Sequence, residues 1–99
     1  MAYPTAALFP MAALVRHVRR LDLSGVTTPA LVLMSEDDRV VDPSRTTAVM
    51  ARWGGPLWIE WRTMGPGDDG WSHVIAGDIL SPGQTAETVA LILDWAAGL

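Results

Sequence analysis

Two side chains with complementary acid–base chemistry follow two apolar runs of the sequence. Asp38 lies in an acidic turn directly after residues 30–34, and His73 lies in a loop rich in Gly and Pro after residues 57–63. A carboxylate beside an imidazole fixes the tautomer of the ring and stabilises the imidazolium that forms when the ring accepts a proton. Such a pair can take the proton of a nucleophile and return it to a leaving group.

Both residues also have a structural interpretation. Aspartate favours turns because its side chain bonds to nearby backbone, so Asp38 with Glu36 and Asp37 would also form a solvated turn. A lone loop histidine such as His73 is more often structural than catalytic, and the local pattern leaves both interpretations open. The other histidine, His17, lies on the arginine-rich side of a predicted helix and is interpreted as a surface residue.

The elements between the two residues predict that they meet. Residues 30–34 are apolar on both faces, as expected of a parallel strand covered by helices, and residues 57–63 form a second predicted strand. A helix predicted over residues 43–53 connects them. Strand, helix and strand at this spacing give parallel strands, so we expect Asp38 and His73 near each other at one edge of the sheet.

The connecting helix has recognisable start and end signals. Asp42 can accept hydrogen bonds from the amides of the first turn, and Pro43 is preset for the first helical position. Gly54 and Gly55 are predicted to end the helix. Its predicted buried stripe consists of Thr46, Val49, Met50 and Trp53.

Two further helices flank this unit. Residues 10–20 predict an amphipathic helix with Pro10 in its first turn, and residues 82–97 predict a closing helix for which Ser81-Pro-Gly-Gln84 resembles a capping box. The fold class is therefore α/β, a parallel βαβ unit with a preceding amphipathic helix and a C-terminal closing helix, in a single domain over residues 1–99. The predicted core stripe of the closing helix consists of Val89, Ile92, Leu93 and Ala96.

The acid turn and the histidine loop together resemble a known family. Residues 29–43 are similar to the late strand and acid loop of serine α/β-hydrolases, and His73-Val-Ile with the downstream Gly77-Asp78-Ile resembles their histidine loop. The order of acid before histidine is also that of the family. On this likeness, residues 1–20 correspond to a helix derived from the lid region, and residues 21–99 to the remaining C-terminal part of the fold.

The resemblance implies a partial α/β-hydrolase fold and an esterase or lipase-like activity on small carboxylic esters, with no cofactor. It implies that Asp38 is the acid of a catalytic triad and that His73 is its general base. Trp71 adjoins His73 and would form a wall of the acyl or leaving-group site, whereas most of the tryptophans are expected to pack in the core.

The nucleophile of that family is not found in the sequence. It is a serine in Gly-x-Ser-x-Gly, exposed on a strained turn between a strand and a helix. Ser72 and Ser81 each have a glycine two residues away on one side only, and neither lies between a strand and a helix in the required way. We therefore expect the chain to supply Asp38 and His73 to a serine carried elsewhere, and to be inactive alone.

A noncatalytic module that associates with itself or with another protein is the alternative function. Two parallel strands and three helices leave sheet edges unpaired and apolar faces uncovered, which favours pairing between chains. The hydrophobic fraction of 49%, with five tryptophans in 99 residues, exceeds what a domain of this size leads one to expect. We therefore expect a homodimer or another homo-oligomer, or a complex with a complementary hydrolase segment.

The composition also excludes several classes of partner and site. A formal charge of -4 argues against nucleic acid, and the lack of cysteine removes disulfides, thiolate metal sites and a thiol nucleophile. Asp68 and Asp69 lack a third metal ligand and are interpreted as ordinary loop residues. Arginines follow the apolar residues 6–15 instead of preceding them, so we expect no signal peptide. No stretch approaches the roughly 20 apolar residues that a membrane-spanning helix requires, so we expect no membrane span. A cytoplasmic location is the default expectation.

Overall fold

The computed structural model describes residues 2–99, which form a small α/β structure with a two-stranded sheet and three α-helices. The α-helices and strands in chain order are α1 Leu8–Arg19, β1 Ala30–Met34, α2 Pro43–Met50, β2 Leu57–Trp61 and α3 Thr85–Ala97. Short 3-10 turns occur at Thr5–Ala7, Leu23–Gly25 and Pro82–Gln84. The order β1, α2, β2 confirms the predicted strand–helix–strand unit.

The two strands are parallel, as predicted, and begin and end together. Ala30 pairs with Leu57 at one end of the ladder and Met34 with Trp61 at the other. The Arg62 N–H extends the ladder by donating to the Met34 carbonyl at 2.7 Å. β1 has the predicted bounds, and β2 ends two residues before the predicted end. Because the strands are in register, the loops that follow them leave from the same edge of the sheet.

Helix α2 starts as predicted but ends earlier. The Asp42 side chain accepts a hydrogen bond from the Ser44 N–H at 2.9 Å, which caps the first turn. The predicted end at residue 53 is wrong because the helix stops at Met50. The N–H groups of Arg52 and Trp53 bond to carbonyls three residues back, which tightens the chain into a turn.

Gly54 and Gly55 lie beyond the end of α2, so the prediction that they end it is also wrong. They allow a close approach of two backbone segments. A Cβ atom on Gly54 would lie 2.8 Å from the Val26 carbonyl oxygen and closer still to that of Ser24. A Cβ on Gly55 would lie 2.8 Å from the Thr27 carbonyl group. The glycines therefore let the segment leading into β2 pack on the segment leading into β1.

Helix α1 stands apart from the rest of the molecule. It begins two residues before the predicted start and ends at Arg19, and each of its residues is exposed. The guanidinium of Arg52 donates to the carbonyls of Arg19 and Leu21, which fastens the C-terminal end of the helix. Its apolar side chains remain uncovered, namely Leu8, Phe9, Met11, Leu14, Val15 and Val18.

Helix α3 presents a different face to the sheet from the predicted one. The residues of the predicted core stripe are all exposed: Val89, Ile92, Leu93 and Ala96. The more buried positions are Gln84, Thr88, Leu91 and Trp95. The helix is apolar around most of its circumference, so hydrophobic periodicity alone cannot select the face that turns inward.

Polar contacts select the rotation of α3. The Gln84 side chain accepts a hydrogen bond from Arg62 at 2.9 Å and donates to Asp68 at 2.9 Å. Arg62 also forms a salt bridge of 2.9 Å with Glu87 on the first turn of the helix. These contacts turn the side of the helix that carries Gln84 and Thr88 toward β2 and its loop.

The hydrophobic core is small and the surface is large. Met34, at 8% exposure, is the only buried hydrophobic residue in the described range 2–99. The accessible surface is 7272 Å², about 1,800 Å² more than the roughly 5,500 Å² expected of a compact monomer of 10.7 kDa. The radius of gyration is 16.0 Å, compared with about 13 Å for a compact chain of this length.

No helix within residues 2–99 has the length and apolar character needed to cross a bilayer.

Candidate functional site

The loops after β1 and β2 bring Asp38 and His73 into direct contact. Nδ1 of the imidazole lies 3.0 Å from Oδ2 of the carboxylate, so the predicted proximity is present. The Asp38 side chain is only 8% exposed, whereas that of His73 is 41% exposed. The carboxylate is therefore enclosed behind the ring, and the ring remains accessible from outside.

The two oxygens of Asp38 have separate partners. Oδ1 accepts hydrogen bonds from the N–H groups of Val40 at 2.8 Å and Val41 at 3.0 Å, while Oδ2 faces His73. Burial acts to raise the pKa of Asp38, but the bonds from Val41, His73 and Val40 together outweigh it and hold the pKa below its usual value. The carboxylate is therefore ionised near neutral pH and acts only as an acceptor.

The ionised carboxylate determines which nitrogen of the neutral ring carries the proton. Asp38 can only accept a hydrogen bond, so Nδ1 of His73 must donate. The neutral ring then has a lone pair on Nε2, the nitrogen on the far side from Asp38. This is the arrangement of a general base that is ready to take a proton at Nε2.

The acid turn is stabilised from within by Ser35. This residue is fully buried, and its hydroxyl accepts a hydrogen bond from the Asp37 N–H at 3.1 Å. Its carbonyl accepts a longer bond of 3.4 Å from the Asp38 N–H. Ser35 thus folds the chain back on itself and directs Asp38 toward the neighbouring loop.

The acid turn and the histidine loop are also joined through their backbones. The Arg39 N–H donates to the carbonyl of Trp71 at 2.9 Å. This bond continues the association of the two strands into the loops and sets the spacing between Asp38 and His73. The Trp71 side chain is exposed, so it is available for contact with a ligand, and its place in the wall of a substrate site stays a prediction.

Asp69 organises the histidine loop, a role that the sequence did not reveal. Its Oδ1 accepts from the N–H of Trp71 at 3.1 Å, and its Oδ2 accepts from the N–H groups of His73 at 3.0 Å and Val74 at 2.9 Å. The bonds from Val74 and Trp71 lower the pKa of Asp69 most. An aspartate whose side chain accepts from the N–H two residues later forms an Asx-turn. An aspartate at position 69, two residues before Trp71, is the sequence signal from which this role could have been predicted.

Asp68 connects the same loop to α3. Its carboxylate accepts from the N–H groups of Gly65 and Gly83, each at 2.9 Å, and from the side-chain amide of Gln84 at 2.9 Å. The bond from Gln84 is the largest cause of its lowered pKa. Asp68 and Asp69 are therefore loop residues, as predicted, and their carboxylates also bind backbone N–H groups that shape the loop.

Ser81 is buried inside the loop and does not cap α3. Its hydroxyl accepts from the Asp69 N–H at 3.1 Å and donates to the Val74 carbonyl, and the residue is 0% exposed. The predicted capping box is wrong because this hydroxyl is already engaged, and the side chain makes no cap bond to the helix. A hydroxyl held in this way is also unavailable as a nucleophile.

Ser72 precedes His73 in an unusual backbone conformation. Its φ of 52° places it in the left-handed region, the only such non-glycine residue within residues 2–99. For a residue with a Cβ atom this conformation costs about 1 kcal/mol or more. The surrounding hydrogen bonds of the loop offset this cost and turn the chain so that the next side chain, His73, faces Asp38.

A separate cavity lies between the sheet and the C-terminal part of α3. Its volume is about 380 Å³, and neither Asp38 nor His73 lines it. Its walls combine two carboxylates with aromatic and aliphatic side chains, namely Leu31, Trp58, Glu60, Leu91, Asp94 and Trp95, with Gly98 and Leu99 at the end of the chain. We call it the acidic groove.

Across residues 2–99, no group of three acidic or histidine side chains is placed to hold a metal ion.

Acid is expected to destabilise the protein through the carboxylates that bind backbone N–H groups. The pKa values of Asp38, Asp68 and Asp69 are lower in the folded chain than the usual value of about 3.9, so on acidification the unfolded chain takes up protons first. Their contribution to the free energy of unfolding is complete above about pH 5 and is lost as the pH falls through the folded-state values. Urea unfolding followed by tryptophan fluorescence between pH 7 and pH 2 measures this loss.

The matched variant for this experiment is Asp69→Asn, which removes one of the titrating groups. Its free energy of unfolding should be lower than that of the unmodified chain at pH 7, and it should fall less between pH 5 and pH 3. An unmodified chain whose stability stays constant or rises on acidification through that range would contradict the assignment of these carboxylates.

The geometry suits proton transfer at Nε2 of His73. Comparison with known proteins adds no assignment of function. No family model, no curated protein and no solved structure matches the chain.

Proposed function

We propose that this chain is the C-terminal part of a serine hydrolase of α/β-hydrolase type that acts on carboxylic esters. The observation that supports this proposal is the contact of 3.0 Å between Asp38 and His73 at one edge of a parallel sheet. The carboxylate is enclosed and the ring is accessible, which is the arrangement that a triad requires of its acid and base. The nucleophilic serine and the oxyanion hole come from another segment.

The proposed chemistry uses both nitrogens of His73. Nε2 takes the proton of the serine hydroxyl while the serine oxygen attacks the ester carbonyl, and Asp38 stabilises the imidazolium through Nδ1. The imidazolium then gives its proton to the departing alkoxide, which leaves an acyl-serine. In the second half, Nε2 takes a proton from water as the water attacks the acyl-serine, and the proton returns to the serine oxygen.

Reconstitution is the direct test. The in-frame coding sequence upstream of Met1 is searched for Gly-x-Ser-x-Gly, the encoded segment is co-expressed with this chain, and hydrolysis of p-nitrophenyl butyrate is measured. We expect activity from the complex, none from this chain alone, and labelling of the serine by a fluorophosphonate. The matched control replaces that serine by alanine. An upstream sequence without such a serine, or a complex without activity, would reject the proposal.

A second candidate function, self-association, is favoured by the large surface and by the distribution of charge. Residues 2–20 contain three of the seven arginines and no acidic residue, which gives a formal charge of +3. Residues 21–99 contain the other four arginines and all 11 acidic residues, which gives -7. Residues 2–20 and residues 21–99 are therefore complementary in charge. The excess surface of about 1,800 Å² is as large as a stable protein interface buries in total.

We propose that α1 of one copy binds the acidic groove of a second copy. The helix carries an uncovered apolar face and ends in arginines, while the groove is lined by Trp58, Trp95 and the carboxylates of Glu60 and Asp94. Apolar side chains would fill the cavity, and guanidinium groups would pair with the carboxylates or stack on the indole rings. Because each copy has one helix and one groove, a reciprocal exchange gives a closed dimer with two-fold symmetry.

Charge reversal in both partners tests this dimer by sedimentation velocity. A groove variant, Glu60→Arg with Asp94→Arg, and a helix variant, Arg16→Glu with Arg19→Glu, should each be monomeric at a concentration where the unmodified chain is a dimer. An equimolar mixture of the two variants should restore a dimer, because both helix–groove contacts then regain opposite charges.

The matched control for the groove variant is Glu36→Arg with Asp78→Arg, which makes the same change in net charge at exposed positions outside the groove. This control should remain a dimer. An unmodified chain that is monomeric at 100 µM protein, on the order of a weak interface's dissociation constant, or a control as monomeric as the groove variant, would exclude the proposed contact.

A further inference from the structure

We propose that Asp69 is the positioning residue of the histidine loop, so that its carboxylate holds the backbone of His73 where the imidazole meets Asp38. This inference rests on the proposed function, because it assigns Asp69 a role in presenting the proposed general base. The hydrogen bonds of the Asp69 carboxylate go to backbone N–H groups and not to the imidazole. It acts through the three N–H groups that its two oxygens bind, those of Trp71, His73 and Val74.

The three bonds fix the backbone at His73 and on both sides of it. One N–H belongs to His73 itself, and the other two belong to residues two positions before it and one position after it. N–H groups that converge on one carboxylate form charge-assisted hydrogen bonds, which are shorter and stronger than bonds to a neutral acceptor. The backbone on both sides of His73 is therefore fixed relative to a single side chain.

Asp69 is itself held in place by a buried group. Its own N–H donates to the hydroxyl of Ser81 at 3.1 Å, and the same hydroxyl donates to the carbonyl of Val74. Ser81 is 0% exposed and lies directly before the turn that leads into α3. One buried hydroxyl thus joins the backbone at Asp69 to the backbone at Val74 and fixes the position from which the Asp69 side chain extends.

A strained residue lies within the segment that these bonds hold. Ser72 lies between Trp71 and His73, whose N–H groups both bind Asp69, and Ser72 has a φ of 52°. Without the carboxylate this residue would relax toward negative φ, since that conformation is favoured for every residue except glycine. Relaxation would swing the following imidazole away from Asp38 and end the preference for a proton on Nδ1.

The test measures the histidine ring and the loop amides in the chain as it stands. Asp69→Asn keeps the shape of the side chain but replaces one acceptor oxygen by an N–H₂ donor. We expect the ¹⁵N spectrum of His73 to change from a predominant Nδ1–H tautomer to a mixture. We also expect the N–H groups of Trp71, His73 and Val74 to exchange with solvent at least about tenfold faster, the factor for a lost stabilisation of 1.4 kcal/mol.

Asp68→Asn is the matched control, because this neighbouring carboxylate also binds two backbone N–H groups but none from residues 71–74. It should leave the His73 tautomer and the exchange of those three amides within about twofold of the unmodified chain. An Asp69→Asn protein that keeps the Nδ1–H tautomer would overturn the proposal. So would an Asp68→Asn protein that loses that tautomer to the same extent.

A second measurement needs no variant and decides the question if Asp69→Asn does not fold. In an acid titration of the unmodified chain, the amide shifts of Trp71, His73 and Val74 should all follow the ionisation of the Asp69 carboxyl group. Amide shifts that do not follow that ionisation would overturn the proposal. Neither measurement uses ester hydrolysis, so a failure here is distinct from a failure of reconstitution.

Discussion

Alanine in place of His73 is expected to abolish ester hydrolysis by the reconstituted enzyme, with kcat/KM lower by on the order of 10⁴. In the proposed mechanism the imidazole that Asp38 contacts takes the serine proton, and a triad that loses one member keeps little of its rate. Hydrolysis of p-nitrophenyl butyrate at pH 8 measures the effect. His17→Ala is the matched control, since His17 lies exposed on α1, and it should retain full activity.

Asp38→Asn is expected to lower kcat by about 10³ to 10⁴ while KM changes far less. An amide in place of the carboxylate no longer holds the proton on Nδ1 of His73, and it offers less stabilisation to the imidazolium. Asp37→Asn, in the same exposed turn, should have no such effect. A reconstituted enzyme that keeps a tenth or more of its activity after either substitution at Asp38 or His73 would exclude the proposed roles.

Gly54→Ala is expected to lower the free energy of unfolding by about 3 kcal/mol or more. The added Cβ would overlap the carbonyl oxygens of Ser24 and Val26. Those atoms belong to backbone and cannot rotate away, so the whole segment before β1 would have to move. Urea unfolding followed by tryptophan fluorescence, with constant m-value, measures the change.

Gly25→Ala and Gly70→Ala are the controls, because an added Cβ at either position meets no atom within 4 Å. Both should change the free energy of unfolding by no more than about 0.5 kcal/mol. A Gly54→Ala protein as stable as these controls would show that the two backbone segments do not approach as closely as described.

The features of the fold that depend on neighbouring residues could be predicted from the sequence. The apolar run of β1 and the Asp42 cap of α2 are local signals, and the structure has both as predicted. The proximity of Asp38 and His73 followed from one topological rule, that parallel strands present their ends at one edge. The spacing of the strands was sufficient for this prediction.

The features that depend on contacts between distant residues could not be predicted. The inward face of α3 is selected by bonds from Gln84 to Arg62 and Asp68, which lie in separate parts of the sequence. The burial of Ser81 depends on its bond to the Asp69 N–H, which overrides the local preference of serine for a helix cap. In both cases a polar contact between residues distant in the sequence outweighed the preference that the local sequence pattern indicates.

The backbone bond between Arg39 and Trp71 has a consequence for how an active enzyme could be assembled from two polypeptides. The described contacts that hold Asp38 against His73 come from residues 30–85, including the pairing of β1 with β2, and none comes from α1. Asp38 and His73 are thus already in contact in this chain alone. A segment that delivers the serine needs only to dock beside them, with little further loss of conformational entropy at these two side chains. Under the proposed function, this chain is accordingly suited to be one segment of a split-enzyme reporter, in which catalytic output follows the association of the two segments.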